Sequence, residues 1–161
     1  MRQPPKLVTI LLVEDNADDA FLTKEVLREA KFANEVVHVE DGVQAMEYLN
    51  RPDAERPDIV LLDLNLPRKN GGQVLEEIKA DPRMRQLPVI VLTTSAAEED
   101  VTHAYDNYVN AYVRKPVGFA ELVDAMRSVE DFWFGIVTLP PRVTVSLADP
   151  AGGRVTRGAA N

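Results

Sequence analysis

Four short apolar runs, each ending at a polar side chain, are the feature that most constrains how this chain folds. The runs cover residues 7–13, 59–62, 88–92 and 111–114. The side chains that follow them are, in chain order, Glu14 with Asp15, Asp63, Thr93 and Lys115. Segments with the apolar spacing of amphipathic helices separate the runs. This alternation is typical of parallel strands joined by crossover helices, so we predict an α/β fold.

If the strands are parallel, the polar side chains at their ends share one edge of the sheet. The carboxyl edge of an open parallel sheet is where such folds place their ligand sites. Three carboxylates, a hydroxyl and an ammonium at that edge suit a divalent cation and a phosphoryl group. The runs therefore predict a metal-dependent phosphoryl site.

Local signals predict where the helices begin. Asn16 is placed to cap a helix after the first strand, with Asp18 and Asp19 in its first turn. Asp41 and Gly42 form a turn before a second helix, and Gly71 with Gly72 opens a third rather than forming a phosphate-binding loop. A weakly amphipathic helix is expected over residues 97–108, and a final helix begins near Phe119.

Composition restricts the partners and the compartment. The formal net charge of −8 makes nucleic acid and anionic membrane surfaces unfavourable partners. The absence of cysteine excludes disulfides and thiolate metal sites. We find neither a signal peptide nor an apolar stretch long enough to span a bilayer, so a cytoplasmic location is expected.

The ordered polar motifs resemble the receiver domain of response regulators in two-component signalling. The resemblance covers about residues 6–130 and implies a flavodoxin-like (βα)5 fold, a doubly wound five-stranded parallel sheet in the order 2-1-3-4-5. Residues 131–140 are expected to extend the last helix and residues 141–161 to form a flexible tail. The residues after Glu130 are too few and too polar to build an output domain, so we expect output through protein contact.

The resemblance also implies a role for each side chain at the predicted edge. Asp63 accepts a phosphoryl group from a histidine of a partner kinase. Mg²⁺, or Mn²⁺ or Ca²⁺ in its place, is held by carboxylates and one backbone carbonyl, from Glu14, Asp15, Asp63 and Asn65. Thr93 and Lys115 bind the phosphoryl group, and the family expects a cis bond after Lys115. Thr93 and Tyr112 form the switch.

One position departs from the family pattern. Thr94 follows the switch hydroxyl, where the family usually has alanine or glycine. Its extra bulk predicts altered dephosphorylation kinetics, of either sign. The two histidines, His38 and His103, lie outside the motif and are interpreted as ordinary surface or edge residues.

Three segments carry a closer resemblance, and they are residues 14–16, 92–100 and 131–140. They resemble the single-domain response regulators that are paired with bacterial phytochrome kinases. Such a kinase is the expected partner, and its predicted docking residues are Phe21, Leu22, Pro116 and Phe119. Phe132, Trp133 and Phe134 are successive residues of the predicted helix, so their side chains point 100° apart and cannot all enter one core. Some of this aromatic surface is therefore expected to contact another chain, which favours a homodimer. Its predicted contact residues are Tyr108, Tyr112, Phe132, Trp133 and Phe134. The alternative is that this segment folds back over its own domain.

Two other functions are compatible with parts of the pattern. A haloacid-dehalogenase-like phosphatase also uses a strand-end aspartate and Mg²⁺, but it requires a second aspartate where this chain has Asn65. A degenerate receiver would act as a phosphorylation-independent dimeric scaffold. It is expected to lack an acid or the lysine, and this chain keeps both. Enzymatic activity beyond its own phosphorylation and dephosphorylation is not expected.

Overall fold

A central sheet of five parallel strands organises the molecule. The computed structural model describes residues 7–30, 33–52, 56–141, 143–145 and 155–157. The strands are β1 (Val8–Val13), β2 (Asn34–Val39), β3 (Ile59–Leu62), β4 (Val89–Thr93) and β5 (Ala111–Arg114). Their order in the sheet is β2-β1-β3-β4-β5, and all neighbours are parallel. The predicted doubly wound fold and its strand order are confirmed.

Five helices connect or follow the strands. They are α1 (Ala17–Arg28), α2 (Gly42–Leu49), α3 (Gly71–Ala80), α4 (Glu98–Asp106) and α5 (Phe119–Gly135). Asn16, Asp41 and Asn70 cap the first three, each by accepting a hydrogen bond from a backbone N–H of the first turn. These side chains satisfy donors that the helix itself leaves unpaired, so the sequence sets these boundaries locally.

Helix α4 is shorter than the sequence pattern predicts. It ends at Asp106, and Tyr108 adopts a left-handed backbone conformation with φ of 61°. The N–H of Val109 then bonds back to the carbonyl of Ala104 at 3.0 Å, and the Val109 side chain is buried. The helix stops early because the chain must turn there to bury Val109 and enter β5.

Alternating strand residues build one apolar core on each face of the sheet. Leu11, Val13, Val60 and Leu62 pack against α2 and α3, with Ala104 of α4. The opposite face packs against α1 and α5, through Ile10, Leu12, Ile59 and Leu61. Each such side chain stabilises the fold by roughly 1.5–3 kcal/mol on full burial. Burial on both faces fixes the strand register, and the register fixes where each strand ends.

A close approach of backbone to backbone requires glycine at the start of α3. A Cβ at Gly71 would lie 2.1 Å from the carbonyl oxygen of Asp63. The N–H of Gly71 also donates to the carbonyl of Leu64 at 3.0 Å. Gly71 therefore allows the loop after β3 to fold tightly against α3, directly beneath Asp63.

The aromatic end of α5 divides between its own core and solvent. Trp133 and Phe134 are half-buried against the core on the α1 and α5 face, as is Leu139 beyond the helix. Phe132 is 51% exposed and meets the Trp133 ring edge-on, with centroids 5.9 Å apart. For Trp133 and Phe134 the structure thus adopts the alternative in which this segment folds back over its own domain.

The final segment contains a pairing that the sequence pattern does not predict. Strand β6 (Val143–Val145) pairs antiparallel with β7 (Val155–Arg157). The remaining residues of 142–161 lie outside the described residues, so their predicted flexibility stays a prediction. Among the residues the structure describes, no helix is both long and apolar enough to cross a membrane.

Candidate functional site

Three carboxylates converge at the carboxyl ends of β1 and β3. One oxygen from each of Glu14, Asp15 and Asp63 can be chosen so that all three lie within 4.8 Å of one another. Glu14 and Asp63 are buried, whereas Asp15 is exposed. The backbone N–H groups of Glu14 and Asp63 continue the sheet pairing, bonding to Val39 and Val13 at 3.0 Å. The sheet itself therefore holds the acidic cluster in place.

Lys115 supplies the positive charge of the site. Its side chain is 3% exposed, and Nζ donates to Glu14 Oε1, to Asp19 Oδ2 at 3.0 Å and to Asp63 Oδ2 at 3.1 Å. Its backbone N–H bonds to the carbonyl of Thr93 at 2.7 Å. The expected cis bond to Pro116 is wrong for this structure, since no peptide bond among the described residues is cis. Lys115 reaches the carboxylates with a trans peptide.

The two oxygens of Asp63 are held by different partners. Oδ1 accepts hydrogen bonds from Thr93 Oγ1 and from the backbone N–H of Asn65, both at 3.0 Å. Oδ2 accepts the bond from Lys115. The structure thus brings the predicted acceptor together with the predicted hydroxyl and ammonium. The predicted metal-binding role of the Asn65 carbonyl stays a prediction.

The environment of the site raises the pKa of Glu14 and of Lys115 and lowers the pKa of Asp63. Desolvation, together with hydrogen bonding and repulsion from Asp63, raises the pKa of Glu14 to about 8, and Lys115 offsets this only in part. Desolvation alone would raise the pKa of Asp63, but hydrogen bonds from Glu14, Asn65 and Lys115 outweigh it and lower that pKa. The pKa of Lys115 is raised because its carboxylate contacts outweigh its desolvation. Asp63 is therefore the carboxylate kept ionised.

These properties fit a divalent cation. Carboxylate oxygens are the ligands that hard cations such as Mg²⁺, Mn²⁺ and Ca²⁺ prefer. Repulsion from Asp63 adds to the desolvation that raises the pKa of Glu14, and the contact with Lys115 offsets the two only in part. Glu14, Asp15 and Asp63 are the residues that would hold such an ion.

The two predicted switch residues, Thr93 and Tyr112, are connected to Asp63 by a path of contacts through Ser95. The N–H of Ser95 lies 3.5 Å from Thr93 Oγ1, and the hydroxyl of Tyr112 donates to the Ser95 carbonyl at 2.8 Å. Tyr112 is half-buried, and burial raises the pKa of its hydroxyl. The path links Asp63 to the loop between β4 and α4. Thr94 is exposed beside it.

A cleft of about 490 Å³ opens next to Lys115. Its lining includes all four residues predicted to dock a kinase, which are Phe21, Leu22, Pro116 and Phe119. Thr94, Asp18 and Asp19 also line it. Phe119 is 74% exposed, and Phe21 is exposed as well. By contrast, only Tyr108 and Phe132 of the predicted dimer residues are exposed, since Tyr112, Trp133 and Phe134 are half-buried within this chain.

Two contacts at the site were missed by the sequence analysis. Asp19 was assigned only to the first turn of a helix, yet it pairs with Lys115. His38 was interpreted as an ordinary edge or surface residue, yet its Nε2 lies 2.8 Å from the backbone oxygen of Glu14. The sequence places Asp19 in the first turn of α1, directly after the acidic end of β1, but does not reveal its pairing with Lys115. The contact of His38 depends on the register of β2 against β1, which no local motif reveals.

Comparison with known proteins agrees with this geometry. The response regulator receiver domain family matches residues 10–127. Response regulator Rcp1 of Synechocystis sp. is 43% identical over 141 residues, which are 85% of this chain and 95% of Rcp1. The structure of the phosphorylated cyanobacterial phytochrome response regulator RcpA superposes with a TM-score of 0.81 at 45% identity, covering 84% of this chain and 99% of RcpA. The Mn²⁺-bound form of Rcp1 gives 0.80 at 41% identity, covering 85% and 99%. The chain therefore belongs to the response regulator receiver family, and its relatives include cyanobacterial phytochrome response regulators.

Proposed function

We propose that this protein is a single-domain response regulator that accepts a phosphoryl group on Asp63 from a histidine kinase. The observation that supports the proposal is the meeting of Asp63 with Thr93, Lys115 and two further carboxylates at one edge of the sheet. The cleft beside Lys115 supports the choice of donor, because it gives a protein partner access to this edge. Asp63 itself is almost entirely buried.

The proposed transfer uses the carboxylate of Asp63 as the nucleophile. One carboxylate oxygen forms a bond to phosphorus while the bond from phosphorus to the kinase imidazole nitrogen breaks, and that nitrogen keeps the electron pair. The lowered pKa of Asp63 keeps the attacking group ionised. Lys115, already beside Oδ2, is placed to pair with the oxygens of the incoming group.

We propose Mg²⁺ as the cofactor, held by Glu14, Asp15, Asp63 and the backbone carbonyl of Asn65, with Mn²⁺ or Ca²⁺ as substitutes. When bound, the ion neutralises charge on the carboxylates and the phosphoryl oxygens. The similarity to the Mn²⁺-bound form of Rcp1 supports a divalent ion at this position. The acidic cluster is the matching feature in this chain.

The proposed output is a change at the loop after β4. In the structure the Thr93 hydroxyl donates to Asp63 Oδ1. After phosphorylation it would donate to the phosphoryl group instead and draw Ser95 with it. Tyr112 would follow, because its hydroxyl bonds to the Ser95 carbonyl. A hydrogen bond to a charged acceptor contributes about 1.5–3 kcal/mol, which is enough to change partner affinity tenfold or more.

The proposed partner is a bacteriophytochrome-type kinase, and the proposed location is the cytoplasm. The relatives named above support the kinase type. A homodimer is proposed through the predicted set, of which Tyr108 and Phe132 are exposed and Tyr112, Trp133 and Phe134 are half-buried. Sedimentation that shows a monomer at micromolar concentration, unchanged by Phe132→Ala, would contradict the dimer.

Mass spectrometry after incubation with acetyl phosphate and Mg²⁺ tests the central proposal. We expect the intact mass to increase by one phosphoryl group and Asp63→Asn to abolish that increase. Asp58→Asn is a matched control, because Asp58 is also a buried aspartate but precedes β3 rather than following it. No mass increase in the wild-type protein, with partner binding intact, would support the degenerate dimeric scaffold instead.

A further inference from the structure

His38 lies on the edge strand β2, beside the acidic end of β1. It pairs in register with Leu12, which packs in the core on the α1 and α5 face. The ring is half-buried, and Nε2 points to the backbone oxygen of Glu14 at 2.8 Å. A carbonyl oxygen can only accept a hydrogen bond, so Nε2 must carry the proton. The contact therefore fixes the tautomer of His38.

This contact completes a pair of hydrogen bonds around Glu14. The N–H of Glu14 donates to the carbonyl of Val39 at 3.0 Å, and its carbonyl accepts from His38. Both peptide groups that flank the Glu14 Cα are thus held by β2. Peptide groups are planar, so holding the carbonyl also orients the N–H and the Cα of Asp15. Asp15, the exposed member of the acidic cluster, is the next residue along the chain from this peptide.

We infer that His38 is a positioning residue for the divalent cation. It holds the peptide between Glu14 and Asp15 so that their carboxylates meet that of Asp63. The role rests on the proposed metal site and concerns the same carboxylates. His38 does not touch the ion. Partners that orient metal ligands in this way commonly change metal affinity by about 10- to 100-fold when removed.

Two substitutions separate the hydrogen bond from the shape of the ring. His38→Phe keeps a flat ring but removes the donor, whereas His38→Gln keeps an N–H donor near the position of Nε2. Calorimetric titration of the unphosphorylated protein with Mg²⁺ measures the dissociation constant directly. We expect His38→Phe to raise it about tenfold or more. The dissociation constant of His38→Gln should remain within about threefold of the wild-type value. If only the packing of the ring mattered, His38→Gln would weaken Mg²⁺ binding more than His38→Phe does.

The outcomes distinguish this inference from the proposed function. Wild-type protein that binds no Mg²⁺ would contradict the metal site itself. Equal Mg²⁺ affinity in wild type and His38→Phe would overturn the role of His38 and leave the metal site standing. If His38→Phe does not fold, nitrogen NMR of the wild-type imidazole decides. Protonation at Nε2 in the metal-free and Mg²⁺-bound states is expected, and protonation at Nδ1 would refute the inference.

Discussion

Lys115→Met tests the charge balance of the site most directly. The ammonium group is nearly inaccessible to solvent and contacts three carboxylates, those of Glu14, Asp19 and Asp63. Methionine has a similar length but no charge, so the substitution leaves the acids without their cation. Removing one partner from a buried ion pair typically costs about 3–5 kcal/mol. Glu14, whose pKa is already near 8, can take up a proton and so limit the loss.

We therefore expect Lys115→Met to lower the free energy of unfolding of the metal-free protein by about 3 kcal/mol at pH 8. For a chain of this size that corresponds to a decrease in Tm of about 10 °C. Mg²⁺ should restore more stability to the variant than to the wild type, because a second cation relieves the same repulsion. Urea or thermal unfolding with and without Mg²⁺ measures both effects. Trp133, the only tryptophan in the sequence, reports the transition by fluorescence.

Lys69→Met is the matched control. Lys69 also pairs with a glutamate, Glu77, but both side chains are partly exposed. Surface pairs contribute about 0–1 kcal/mol, so this substitution should have little effect. Two results would refute the view that Lys115 offsets crowded carboxylates. One is a decrease below about 1 kcal/mol in the free energy of unfolding of Lys115→Met, and the other is equal stabilisation of the wild type and Lys115→Met by Mg²⁺.

Three further predictions follow from the same contacts. Without metal, folding raises the pKa of Glu14 from 4.5 to about 8, so its contribution to stability is present below pH 4.5 and is lost as the pH rises through 8. Between pH 5 and 8 the free energy of unfolding of the wild type should accordingly fall by on the order of a few kcal/mol relative to that of Glu14→Gln. Urea unfolding with a chelator measures this difference, and parallel pH profiles of the two proteins would contradict it. Gly71→Ala should cost about 1–3 kcal/mol in urea unfolding through its clash with the Asp63 carbonyl, whereas Gly135→Ala, where a Cβ meets nothing within 4 Å, should not destabilise. Thr93→Val should still accept phosphate from acetyl phosphate but lose the phosphorylation-dependent NMR shifts at Tyr112, and retention of those shifts would exclude the hydroxyl as the link.

Much of the fold could be predicted because it depends on local information. Four of the five strands lie on the apolar runs, and Asn16 marks the start of α1 by accepting a hydrogen bond from a residue three positions away. The predicted end of α4 lies two residues beyond the observed end, because the burial of Val109 depends on tertiary packing. The convergence of Asp63 and Lys115 was predictable once the strands were taken as parallel. No such argument was available for Trp133 and Phe134, because the surface they cover exists only after α1 and α5 have packed on the sheet.

The contacts of His38 and Asp19 show where sequence reasoning ends at the site itself. Each depends on the relative position of two elements, β2 against β1 for His38 and α1 against β5 for Asp19. A local pattern assigns each residue to its own element and cannot assign it to a neighbour. Both contacts concern the support of the predicted residues rather than the predicted residues themselves. The motif therefore identifies which side chains meet at the proposed site, and the packing of the elements determines how those side chains are held.

The division of partners at Asp63 explains how one chemical event could reach two surfaces. Oδ1 is held by Thr93, whose path continues through Ser95 to Tyr112, and Oδ2 is held by Lys115, which lines the cleft beside α1. Both donors would turn to the oxygens of a phosphoryl group on Asp63, as proposed above, because both lie about 3 Å from its carboxylate. The proposed phosphorylation of Asp63 would thus alter the loop between β4 and α4 and the cleft beside Lys115 together.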